Sequence, residues 1–288
     1  MELQALSPKI QSTFSRRYPS RLIANIYLLA GIGLLILIGR IVEHTLAQYL
    51  IGCLAEMLLV VIAVLCVKLD RLPVKTTMRI NWPGWEFILL SIITAPGLWM
   101  MGVALNVITS LLFGYTTPTP PQMYPTNLIE SLGFLLTAVI IAPICEELMF
   151  RGYIQPAYER GKPYAGIVIG GLIFALYHMQ FQGLFALIPV ALVLGVFSWR
   201  TNSIIPGMVL HAGYNAIASI ILVTATFLPY QLATAVLFSL ILIGFIGVIV
   251  TFLAIGRLFA ITQPAQLTPP QKSTSINQWI WLIPLLLL

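Results

Sequence analysis

Eight runs of about twenty mostly apolar residues, each long enough to cross a bilayer as a helix, leave this chain one kind of fold. They lie near residues 22–42, 49–69, 86–113, 128–150, 164–180, 183–199, 204–226 and 233–256. Lipid offers no partners to exposed main-chain groups, so such runs must close their hydrogen bonds within themselves. The expectation is an all-α polytopic membrane protein with about eight transmembrane helices. Composition agrees: 8% of the 288 residues are charged, against about 25% in a soluble domain, and mean hydropathy is +0.96. The intervening polar segments are all short, which leaves no room between spans for a separate soluble domain. The tail QWIWLIPLLLL from Gln278 is too short to span, and Trp279 and Trp281 point to an interfacial segment.

A net charge of +6 would suggest nucleic acid in a soluble chain. Here the charge falls in alternate loops. With a cytoplasmic N-terminus, one side collects the basic head (Lys9, Arg16, Arg17, Arg21), the Lys68–Arg79 loop and Arg151 with Arg160 and Lys162. Arg200, and Arg257 with Lys272, fall on that side too. The opposite loops, including TTPTPPQMYP at 116–125, are nearly uncharged apart from Arg40. This follows the positive-inside rule and makes the bilayer, not nucleic acid, the expected partner. The basic head precedes an apolar segment with no small-x-small exit, so an uncleaved first span is expected. Cys53, Cys66 and Cys145 lie in apolar runs without CxxC spacing and read as small hydrophobes.

Two adjacent glutamates, Glu146 and Glu147, interrupt the apolar run IIAPICEELMFRG. Each carboxylate in a bilayer core costs at least a few kcal/mol, so a task or a partner is implied. Glu147 and Arg151 stand at i and i+4 in the favourable order and read as an ion pair. Glu146 points elsewhere. It lies about 15 residues before a helical turn at Gly161–Lys162, and His178 about 16 after it, so antiparallel helices bring the two level. Phe174 and His178 share a helix face, as do His211 and Asn215. Taken singly, either histidine reads as a hydrogen-bonded core residue and Asn215 as helix–helix glue. Pro143 removes a donor from the carbonyl of Val139 and predicts a kink one turn before the glutamates. Glu56 and Glu130 have no evident partners and read as lining or pairing residues.

Glu146-Glu147-x-x-x-Arg151-Gly152, Phe174-x-x-x-His178 and His211-x-x-x-Asn215, in this order on successive apolar runs, resemble the CAAX prenyl protease type II family. Its wider group, CPBP or Abi, joins CAAX proteases and bacteriocin-processing enzymes. The likeness runs from about Leu128 to Ser219. It implies an intramembrane endopeptidase in which Glu146 and His178 activate a water and His211 and Asn215 stabilise the oxyanion. Glu147, Arg151 and Phe174 would be supports. The expected substrate is a peptide or lipidated protein.

A division into 1–127 (basic segment and three spans), a 128–226 protease core and 227–288 (last span and tail) follows. One Glu and two His are also a catalytic zinc set, so Glu146, His178 and His211 are the ligands if a metal is used. A metal-free route is the expected one, because Asn215 suits an oxyanion donor better than a zinc ligand. A non-catalytic scaffold of the same fold and a proton-coupled transporter are the alternatives, the latter disfavoured by the lack of internal repeats. The histidines come from different apparent depths, which predicts that the fourth and fifth helices project toward a cytoplasmic opening.

Overall fold

The computed structural model describes residues 18–41, 45–114, 125–160, 162–179 and 181–262. Lys9, Arg16, Arg17, loop positions 116–124, Gly161 at the expected turn, Lys272 and the tail from Gln278 lie outside the described residues. All regular structure among the described residues is helical: α1 (Arg21–Ile41), α2 (Thr45–Leu69), a short α3 (Val74–Thr77) and α4 (Trp85–Phe113). A long α5 (Leu128–Tyr158) precedes α6 (Pro163–Tyr177), α7 (Phe181–Thr201), α8 (Ile205–Phe227) and α9 (Tyr230–Ile261).

The protein is an all-α, multi-pass membrane protein. Eight spans are expected; among the described residues six helices (α2, α4, α5, α7, α8 and α9) are long and apolar enough to cross a membrane. The runs at 22–42 and 164–180 hold shorter apolar stretches, Arg21–Leu34 and Pro163–Tyr177. The second is short for a local reason. Pro163 opens α6, and Met179 at φ +50° follows its cap His178, a backbone setting that a helix cannot continue through.

α5 sets the geometry of everything that follows. Asn127 caps it by accepting the Glu130 N–H at 2.9 Å. Glu130 in turn accepts from the Thr126 N–H and hydroxyl at 2.7 and 2.9 Å, so it belongs to the cap and lines nothing. Two π-helical segments, Leu136–Ile141 and Phe150–Ile154, bracket the α-helical stretch Ala142–Met149. Each widened turn changes which side of the helix the next residues face. The buried face of α5 (Met149, Phe150, Tyr153, Ile154, Ala157, Tyr158) packs on Tyr27 and Leu28 of α1 and on Leu59 and Ala63 of α2.

A second core joins Leu90, Ala95 and Leu98 of α4 to Val190, Leu194 and Phe197 of α7, Leu210 of α8 and Ala254 and Leu258 of α9. α4 and α9 touch main chain to main chain: a Cβ on Gly97 would meet the Gly247 carbonyl. The outward faces carry large apolar side chains such as Leu111, Phe238 and Phe252. In a membrane protein these are the surface turned to acyl chains.

Candidate active site

Glu146 and Glu147 stand between the two π segments, Glu146 7% exposed and Glu147 fully buried. One oxygen of Glu146, Oε2, faces Nε2 of His178 at 3.9 Å and Nε2 of His211 at 3.8 Å. Three helices therefore converge on one carboxylate, and the antiparallel spacing of Glu146 and His178 translates into side chains at one level. His178 caps α6, and its Nδ1 lies 2.8 Å from the Phe174 carbonyl. A carbonyl only accepts, so Nδ1 carries the hydrogen and Nε2 is the ring atom turned toward Glu146. His211 is held from the other side, with Nδ1 3.2 Å from Glu147 Oε1.

That same Oε1 accepts from Arg151 Nη1 at 2.9 Å, and Arg151 Nη2 donates to the Ala191 carbonyl at 3.0 Å. The i,i+4 ion pair is thus present, yet it is also a support for His211. The guanidinium carbon lies 4.3 Å from the centre of the Phe174 ring. That ring in turn sits 4.8 Å from His178 and 5.7 Å from His211, centre to centre. Gly207, in the first turn of α8, completes the seat: a Cβ there would come within 2.6 Å of Glu147 Oε2. A helix N-terminus against a buried carboxylate is also electrostatically favourable.

Asn215 does not join this cluster directly. Its amide donates to the Ala138 carbonyl at 2.8 Å, and the reason lies in the π turn. The Ala142 N–H bonds to Thr137, and the residue five beyond Ala138 is Pro143, which has no N–H. Ala138 is left without a main-chain donor, and Asn215 supplies one. The expected effect of Pro143 is therefore shifted by one residue, from Val139 to Ala138, by the wider turn. An amide has two hydrogens, so one remains for another acceptor. A mostly apolar crevice of about 380 Å³ opens beside this bond, lined by Leu132, Leu135, Leu136, Val139, Ile140, Ala216 and Ile220.

Sequence reasoning missed a second buried polar group. Glu147, Arg151, Gln155 and Glu159 follow one another at four-residue steps along α5. Gln155 Nε2 donates to Glu159 Oε1 at 2.9 Å and to the Gly195 carbonyl at 3.2 Å. Glu159 pairs with the fully buried Arg79. The four-residue repeat was a visible signal. Arg79 was not findable, because a loop arginine reads as a solvated charge until the loop is seen to fold inward.

Zinc needs three donors at about 2.0–2.3 Å from one point. Among the described residues no group of three His, Cys, Asp or Glu side chains is placed to hold a metal ion.

Comparison with known proteins adds the family. Residues 128–217 match the sequence model described as type II CAAX prenyl endopeptidase, Rce1-like. Over this segment, about a third of its length, the chain is similar to that family. The match supports a function of the CAAX-protease kind, and it covers all three motifs, from Glu146 to Asn215. The chain is also similar to UPF0177 protein YxdF of Lactococcus lactis subsp. lactis (strain IL1403). The two are 27% identical over 131 residues, covering 41% of this chain and 72% of the relative. No solved structure matches the chain.

Proposed function

We propose that this Rce1-like protein is an intramembrane endopeptidase that hydrolyses a peptide bond of a membrane-associated or lipidated polypeptide. The observation that supports it most is the gap in front of Glu146, whose Oε2 stands 3.9 and 3.8 Å from two imidazole nitrogens. These separations are too long for direct hydrogen bonds and suit one water held among three groups. Glu146 takes a proton from that water as it attacks the scissile carbonyl, and the lone pair of His178 Nε2 orients it. His211, held through Nδ1 by Glu147, turns Nε2 into the same gap, where an N–H would face the developing oxyanion. The second amide hydrogen of Asn215 adds a donor there. Arg151 pairs with Glu147 inside the site, which offsets the cost of burying that carboxylate. The apolar crevice beside Asn215 suits the hydrocarbon portion of a lipidated or membrane-embedded substrate. The site opens toward the cytoplasm, on the side of the basic loops.

The purified protein in nanodiscs, offered a panel of prenylated and unprenylated peptides with and without chelator, should cleave at one bond seen by mass spectrometry. Glu146→Gln should lower kcat by about 10²–10⁴-fold with little change in KM. Cleavage that survives this substitution at full rate, or solute flux without cleavage, would sink the hydrolytic reading. A partner-dependent phenotype that persists in Glu146→Gln would mark a scaffold instead.

A further inference from the structure

Glu56 on α2 takes part in none of the ion pairs or helix caps found among the described residues. Its Oε2 is buried and has no hydrogen-bond partner among the described residues. The face of α2 that carries it is turned to the site. Cys53, three residues earlier, lies 3.1 Å from the Thr137 hydroxyl in the first π segment, and Leu59, three residues later, is buried in the core with Met149 and Phe150 of α5. Glu146 Oε2 and the hydroxyl of Tyr177 are equally unpartnered; Tyr177 precedes His178, and its ring stands 5.1 Å from that of Phe150 and shares a core with Leu59 and Met149. Glu56, Glu146 and Tyr177 thus carry three buried oxygens without partners on α2, α5 and α6, where these helices share one core. Buried polar atoms are rarely left so. Intramembrane carboxyl groups without a cation are kept most often where protons move.

We propose that Glu56 is the proton-donating partner of Glu146, connected to it through the hydroxyl of Tyr177. The inference rests on the hydrolase reading and supplies what that reading leaves open, the source of the proton for the departing amine. Glu146 removes one proton from the water, whose oxygen bonds to the carbonyl carbon. The carbonyl carbon–nitrogen bond then breaks as Glu56, entering as the acid, gives its proton to the nitrogen. The proton on Glu146 passes across Tyr177 to Glu56 and restores both groups. One water has been added across one peptide bond, and no other reactant is needed.

The test compares the peptide that the wild-type protein cleaves with its depsipeptide, in which an ester replaces the scissile amide. An alkoxide leaves with less need of a proton than an amine does. Glu56→Gln, which keeps the size of the side chain, should lower kcat for the amide by about 100-fold with KM unchanged. Its ester rate should fall less than about 5-fold, a selectivity expected when only leaving-group protonation is lost. Tyr177→Phe should show the same selectivity in milder form, and Glu56→Asp should recover part of the amide rate. Equal losses on both substrates, at unchanged thermal stability in detergent, would mean a packing role and overturn the proposal. So would an unaffected amide rate, or a Glu56→Gln protein that fails to fold while Tyr177→Phe is fully active. A wild-type protein inert toward both substrates removes the hydrolase reading itself, and this inference with it.

Discussion

Glu147 is bound by more constraints than any other residue of the site. Its one oxygen serves both Arg151 and His211, and the other lies against the first turn of α8 where only a glycine fits. Gly207→Ala would place a methyl carbon 2.6 Å from Oε2, and neither the buried carboxylate nor the helix start has room to give. We expect a loss of about 1–3 kcal/mol in unfolding stability, the usual range for overpacking. His211 should be displaced with Glu147, so activity should fall further than stability alone explains. Unfolding in detergent beside kcat on the cleaved peptide checks both. An alanine variant with native stability and native kcat would show that the seat is not tight.

At the scale of elements, the first π segment and Asn215 form one unit. Asn215→Leu should cost about 1–3 kcal/mol by leaving the part-buried Ala138 carbonyl unpaired. In a Pro143→Ala background, a main-chain N–H becomes available to close that turn, and the same substitution should cost less by at least about 0.5 kcal/mol. A double-mutant cycle on unfolding free energy measures the difference, and strict additivity would dissolve the unit. Much of this architecture was legible in the residues alone. The apolar runs marked all the long helices, and antiparallel counting put Glu146 opposite His178. What escaped was irregular or long-range. The π turns have no periodic signature, so the consequence of Pro143 was read one residue off. Glu130 looked like an orphan because its partners are main-chain and hydroxyl groups of a cap. Arg79 looked like an ordinary loop charge, although it and its partner Glu159 are buried. The run at α6 is shorter than expected because a cap at His178 ends that helix early.

For the whole molecule, the basic loops predict a sidedness. With Cys53, Cys66 and Cys145 replaced, a cysteine at the exposed position Lys75 should react with an impermeant maleimide from the cytoplasmic side only. One at the exposed position Thr126 should react from the opposite side only. Reversed labelling in intact cells would invert the topology and with it the expected opening of the site. The close contact of α4 with α9 at Gly97 and Gly247 has a further consequence. α8 leans on α4 through Tyr214, whose hydroxyl lies 2.6 Å from where a Gly102 Cβ would stand, and through Gly213 against Ala95. His211 therefore takes its height from a stiff keel of paired long helices, whereas Glu146 takes its height from α5 and the lighter bundle of α1 and α2. A thicker or thinner host membrane tilts the keel and the bundle by different amounts. Acyl-chain length then becomes a dial on the spacing between two halves of one machine, and lipid composition a means of tuning its speed without altering a single residue.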